Sequence, residues 1–241
     1  MEGEAIGQAP LIEWGVAGRA LPGQAVSGDL YLVQPFSDGV LVAVVDGLGH
    51  GEEAAVAARC AVSLLRDHAH EPVEALLSTC HMRLRRTRGV VMSLASIDAQ
   101  ASRLSWAGVG NVEGVLLRTD PAGGPIRESL APRGGVVGSH LPSLHSSIVG
   151  IATGDTLIFA TDGIRTSFIV GSRMNAGDSP REVAQTILAQ HGKETDDALV
   201  LVARYRGRRG ERHLAAPAAG DGCPHADPQG GPSPSCSGAK S

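Results

Sequence analysis

The chain has 241 residues, a formal net charge of −4 and only 3% aromatic residues, so its 42% of hydrophobic residues must build a core mostly from Val, Leu, Ile and Ala. The length fits one ordinary domain plus an appendage, and a slightly acidic chain without a basic patch argues against a nucleic-acid partner. No apolar run reaches spanning length, and MEGEAIGQAP at the start lacks the basic and apolar regions of a leader, so a soluble cytoplasmic protein without a membrane partner is expected.

In chain order, Ile12, Trp14 and Val16 alternate with Glu13 and Gly15, the pattern of a half-buried strand. LYLVQP (30–35) and VLVAVVD (40–46) flank the turn signal Ser37-Asp38-Gly39 and predict a hairpin. The second run is apolar almost throughout, which predicts burial on both faces. EEAAVAARCAVSLLRDHA (52–69) predicts a helix, with Ala55, Ala58, Val62 and Leu65 on one face and acids in the first turn. PVEALLSTCHMRLRRT (72–87) predicts a second, opened by Pro72 and closed by arginines.

Strands are predicted at VVMSLASI (90–97), RLSWAG (103–108), VEGVLLR (112–118) and TLIFAT (156–161). A third helix is predicted from Asp178-Ser179-Pro180 to about Gln190, closed by Gly192, before a last strand ALVLVARY (198–205). This order is an α+β pattern, most simply satisfied by sheets packed together with helices outside.

Gly207–Ser241 holds 35 residues, of which 7 are Gly and 5 are Pro, and Leu214 is its only large aliphatic. Such a segment cannot bury enough apolar surface to offset its ordering entropy. A disordered tail at 207–241 is expected, with the folded body at 8–206. Cys60 and Cys80 fall in predicted helices and read as packed thiols, while Cys223 and Cys236 lie in the tail. No CxxC pair occurs, so neither a zinc site nor a disulfide framework is indicated, and His225 beside Cys223 lacks a second ligand pair.

The chemistry lies in where the aspartates fall. Asp46 ends one predicted strand and Asp162 follows another, while Asp29 and the pair Asp196-Asp197 immediately precede two more. If both strand pairs are antiparallel, these carboxylates collect at one rim, a costly arrangement unless cations neutralise it. Hard oxygen ligands of this kind suit Mg²⁺ or Mn²⁺. Glycines accompany them: Gly28 precedes Asp29, Gly47 follows Asp46, Gly163 follows Asp162, and DGLGHG (46–51) holds three in six residues. A single Asp-Gly is a common turn. Four acidic elements at four strand ends are a pattern.

The ordered set S-G-D (27–29), D-G-x-G-H-G (46–51), T-D-G (161–163) and D-D-A (196–198) resembles the PPM family of metal-dependent protein phosphatases, in its bacterial SpoIIE/RsbX-like branch, over about residues 12–205. The resemblance implies a β-sandwich flanked by helices in α-β-β-α layers, with two Mn²⁺ or Mg²⁺ ions at one edge. It implies that Asp46 bridges the ions, that the Gly47 carbonyl ligates one, that Asp162 and Asp196 hold the first, and that Asp29 contributes directly or through water. Asp197 is placed behind Asp196. His50 stands in the D-G-x-G-H-G motif, where loop packing and proton transfer are both open roles.

The activity implied is hydrolysis of phosphoserine or phosphothreonine by attack of metal-bound water. The compact body without a sensor domain, together with GVGNVE, narrows the resemblance to RsbX-like members, and that resemblance alone implies STAS-domain regulators of stress or sigma-factor signalling as substrates. Three departures from the family pattern stand out. Arg19 lacks the spacing of the phosphate-gripping arginine of eukaryotic members and reads as a surface residue. GVGNVEG (108–114) replaces an A-G-H loop, leaving Asn111 to shape the substrate cleft or make a turn, and Leu199 stands where threonine is frequent. Two other readings remain open: a pseudophosphatase acting as a binding module, and a small-molecule phosphomonoesterase.

Overall fold

Val40–Val45 is fully buried and sets the architecture, because its alternate side chains enter two different cores. A computed structural model describes residues 3–9, 11–119, 126–171 and 177–207. Two antiparallel sheets stack face to face. The first has the order β1-β2-β11-β10-β7-β8, formed by β1 (Gly3–Ala9), β2 (Ile12–Arg19), β7 (Glu113–Arg118), β8 (Ile126–Leu130), β10 (Thr156–Ala160) and β11 (Ala198–Tyr205). The second has the order β3-β4-β5-β6-β9, formed by β3 (Asp29–Phe36), β4 (Gly39–Gly47), β5 (Val90–Asp98), β6 (Arg103–Val109) and β9 (Ser147–Gly150).

Val40, Val42 and Val44 of β4 meet Ile12, Val16, Leu199 and Leu201 between the sheets. Leu41, Ala43 and Val45 point the other way, onto α1 (Glu52–Asp67) and α2 (Val73–Leu84). The predicted face of α1 is the one that packs: Ala55, Ala58, Val62 and Leu65 are all buried. On the far side of the first sheet, α4 (Pro180–His191) lays Val183, Ala184 and Ile187 on Ala17, Val200 and Val202, beside the short α3 (Phe168–Gly171). The layers are α-β-β-α, as the resemblance implies. Burying each large aliphatic contributes roughly 1.5–3 kcal/mol. Among the described residues no helix is long and apolar enough to cross a membrane.

Several local expectations are corrected. β2 is not half-buried: Gly15 and Ala17 on its second face are covered by α4. A Cβ at Gly15 would lie 2.3 Å from the Arg181 amide, so the helix needs a residue without a side chain there. Cys60 is exposed on α1, whereas Cys80 is buried and its thiol pushed up to about 12 by desolvation. The second helix ends at Leu84, where a tight turn brings the Thr87 amide to the Leu84 carbonyl.

α4 begins with a capping box between Ser179 and Glu182, and its C-cap Gly192 has φ −64, not a left-handed value. Gly192 is instead required by space, since a Cβ would sit 2.5 Å from the Leu188 carbonyl. β1, β8 and β9 were not anticipated, and β1 pairs with β2 from Gly3↔Gly18 to Ala9↔Ile12, ahead of the expected boundary at residue 8. The expected tail, with Cys223, His225 and Cys236, lies outside the described residues apart from Gly207.

Candidate active site

The antiparallel pairings β3·β4 and β10·β11 bring the predicted aspartates to one rim of the sandwich. Asp29 and Asp46 are direct cross-strand partners. Asp162 leaves the end of β10, and Asp196 and Asp197 lead into β11 beside it. The glycines permit close approach of these segments. A Cβ at Gly163 would stand 1.9 Å from the Asp197 carbonyl, and one at Gly47 would stand 2.1 Å from the Ala54 carbonyl. In the loop that follows Asp46, Gly49 and Gly51 take φ +90 and +75, so the chain turns sharply into α1.

The rim is short of positive charge. Burial, reinforced by Asp162, Asp196 and Asp197, pushes the Asp46 carboxyl up to about 8. Burial is also the largest cause holding Asp29 well above the usual carboxylate range, followed by Asp46; a hydrogen bond from Thr161 opposes the rise. Asp196 is raised by burial and then by Asp162, with Lys193 in partial opposition.

Four of the five carboxylates are held by protein donors, Asp196 Oδ1 accepting from the Asp197 amide at 2.9 Å. Asp29 Oδ2 accepts from the Thr161 hydroxyl at 2.7 Å. Asp162 Oδ2 accepts from Asn111 Nδ2 at 2.8 Å. Asp197 accepts from the amides of Leu21 and Gly28, each at 2.7 Å. Among the described residues no three His, Cys, Asp or Glu side chains stand gathered as a finished cation cage. The donor set nonetheless fits divalent cations: the crowded groups are all carboxylates, and burial together with Asp162, Asp196 and Asp197 raises the Asp46 carboxyl, an arrangement that a bound cation would relieve.

A cleft of about 490 Å³ opens over the rim, lined by Asp46, Asp162, Asp196, His50, Asn111 and the backbone of Gly134 and Gly135 among others. His50 is exposed on its wall, and Asn111 reaches Asp162, so both line the cleft. Asp197, 4% exposed, is turned away into backbone amides. Arg19 is a correction: it is half-buried, and its Nη2 donates to the Lys193 carbonyl at 2.6 Å beneath the 191–193 segment. Sequence reasoning missed Thr161 and Lys193. A threonine ending the apolar strand TLIFA was a usable signal, because a buried hydroxyl needs a partner. Lys193, whose Nζ donates to the Asp162 carbonyl at 2.5 Å, had none.

Comparison with known proteins agrees with this geometry. The chain is 25% identical over 177 residues to the phosphoserine phosphatase RsbX of Bacillus subtilis (strain 168), covering 73% of this chain and 85% of that protein. A chain from the solved structure "The bacterial stressosome: a modular system that has been adapted to control secondary messenger signaling" is 30% identical. It covers 80% of this chain and 99% of that one, with a TM-score of 0.72. The crystal structure of RsbX in complex with magnesium superposes with a TM-score of 0.72 at 21% identity, covering 84% of this chain and all of that one, and shares the fold. The family profile described as Stage II sporulation protein E (SpoIIE) matches residues 37–206, the greater part of the chain; the chain belongs to this SpoIIE family, in the SpoIIE/RsbX-like branch of the PPM fold.

Proposed function

We propose that the chain is a cytoplasmic, metal-dependent protein phosphatase that hydrolyses phosphoserine or phosphothreonine on STAS-domain regulators. The observation that carries this is the Asp46 carboxyl, pushed up to about 8 by burial and by Asp162, Asp196 and Asp197 at the floor of an open cleft. Asp46, Asp162 and Asp196, with the Gly47 carbonyl, are the groups that would hold two Mn²⁺ or Mg²⁺ ions. Such ions supply a water acidic enough to ionise near neutral pH and neutralise charge on the phosphoryl oxygens.

The remaining roles belong to the chain's own groups. Asn111 fixes the orientation of the Asp162 carboxylate through its 2.8 Å bond. Asp29, tied to Thr161, acts from behind Asp46. Asp197 anchors the segments carrying Leu21 and Gly28. His50 lines the open wall, and its proposed role is to give a proton to the departing serine or threonine oxygen as its bond to phosphorus breaks. The RsbX relative, a phosphoserine phosphatase, supports the substrate class, and the stressosome chain supports a signalling partner.

The test is turnover of p-nitrophenyl phosphate with Mn²⁺ and after chelation, followed by a phosphorylated STAS protein against phosphotyrosine peptides and free phosphoserine. Full activity in verified metal-free protein ends the metal reading. Equal kcat/KM toward all three phosphorylated substrates removes the STAS assignment.

A further inference from the structure

The cleft over the carboxylates is lined by no lysine or arginine. A second recess of about 310 Å³ adjoins it, sharing Asn111 and Asp162 and adding Arg165, Lys193 and Glu113. Every lysine and arginine lining the joined clefts therefore lies in this lobe, among the described residues. The recess reaches neither Asp46 nor Asp196, so its cations stand to one side of the floor where the phosphoryl group is proposed to sit.

The lobe is held by backbone. The Lys193 amide donates to the Gly163 carbonyl at 2.7 Å, and the Arg165 amide donates to the His191 carbonyl at 2.9 Å. Ile164 and Gly192 form a bridge between the same two segments, and Arg19 holds the Lys193 carbonyl from below. Lys193 Nζ is occupied by the Asp162 carbonyl. Arg165 differs: it is exposed, and its guanidinium has one recorded bond, from Nη1 to the Gly192 carbonyl at 3.2 Å. Arg165 carries no ion pair to a described carboxylate. Its remaining donors form a fork suited to a carboxylate or phosphate. Glu113 is half-buried on the β7 side of the lobe, with its carboxyl raised by desolvation.

We propose that Arg165 is a specificity-determining residue, and that the lobe it shares with Lys193 receives an anionic side chain flanking the phosphorylated residue of the substrate. This rests on the phosphatase reading above and adds a substrate feature to it: phosphorylated sites with an acidic neighbour are preferred. The ligand chemistry is a carboxylate or a second phosphate, both of which pair with the same fork.

The experiment compares kcat/KM for matched phosphoserine peptides bearing glutamate, lysine or a second phosphoserine beside the target, with p-nitrophenyl phosphate as the substrate that has no flank. Wild type, Arg165→Glu and Arg165→Lys are measured with Mn²⁺, and melting curves confirm that each variant folds. An exposed pair is worth about 0.2–1 kcal/mol, so wild type is expected to favour glutamate over lysine by about 1.4- to fivefold, less so at high salt. Arg165→Glu is expected to cancel or invert the preference while leaving p-nitrophenyl phosphate turnover unchanged, and Arg165→Lys to retain most of it. A larger gain from the second phosphoserine than from glutamate identifies phosphate as the favoured flank. An unaltered preference in Arg165→Glu overturns the proposal. An equal loss on every substrate, p-nitrophenyl phosphate included, also overturns it, by showing that Arg165 acts on the scissile phosphoryl group. No turnover of any substrate by wild type would instead sink the phosphatase reading, and this proposal with it.

Discussion

The Thr161 hydroxyl donates to Asp29 Oδ2 at 2.7 Å, tying the end of β10 in one sheet to the first residue of β3 in the other. The same hydroxyl oxygen accepts from the Leu199 amide at 2.9 Å, so one small side chain serves three strands. Thr161→Val keeps the volume but strands a buried amide and removes the hydrogen bond that holds the Asp29 carboxyl down against burial and its acidic neighbours. The expected cost is about 1–3 kcal/mol of stability, with a fall in turnover that Thr161→Ser restores. Denaturant midpoints and p-nitrophenyl phosphate assays read both; an unchanged midpoint in Thr161→Val would show the bond to be dispensable.

Asp46 gives a pH dependence with a definite sign. Its folded value of about 8 lies above the ordinary 3.8, so between these values the metal-free folded state binds more protons than the unfolded one. Stability then falls as pH rises through this window, and the loss is complete above about 8. Metal-free protein should melt lower at about pH 9 than at about pH 6, Asp46→Asn should flatten that slope, and Mn²⁺ should counter it by replacing protons as the neutralising charge. A metal-free melting temperature that climbs across this range contradicts the assignment.

Asp196 and Asp197 are adjacent but should respond oppositely to alanine. Asp197 accepts two backbone amides, one buried and one part-buried, each worth about 1.5–3 kcal/mol when the acceptor is charged, so Asp197→Ala should lose several kcal/mol of stability with or without metal. Asp196 is half-exposed and lines the cleft, so Asp196→Ala should melt near wild type yet lose most activity and weaken Mn²⁺ binding. Calorimetry with and without Mn²⁺ separates the two, and the reverse pattern would exchange their roles.

Gly163→Ala tests the close packing of the rim. The added carbon would meet the Asp197 carbonyl at 1.9 Å, and a backbone neighbour cannot rotate aside. A cost at or above the usual overpacking range of about 1–3 kcal/mol is expected, together with loss of activity. Wild-type melting and turnover would mean that this approach is looser than described.

The core was legible where each residue announced its surroundings. Val40–Val45 reads as a strand between two cores because nothing in it tolerates water, and its burial bears that out. The aspartates were legible because each ends or begins an apolar run. Edge strands were not: GEAIGQA, IRESL and SIVG carry too few alternating apolar residues to signal pairing. The links from Thr161 to Asp29 and from Asn111 to Asp162 span 132 and 51 residues, and no local pattern encodes such a partner. Arg19 failed for the same reason, since the carbonyl it holds is 174 residues away.

β11 is the last strand among the described residues, yet it lies inside its sheet, between β2 and β10. Until it arrives, β2 and β10 each present an unpaired edge, and Asp197 cannot clasp the amides of Leu21 and Gly28. The strands that precede β11 thus have no means of closing the first sheet by themselves, and closure must wait for a long-range, slow pairing step. A polypeptide cut short before Ala198 should expose sticky strand edges rather than yield a weakened enzyme, so the carboxylate rim is completed only when β11 pairs.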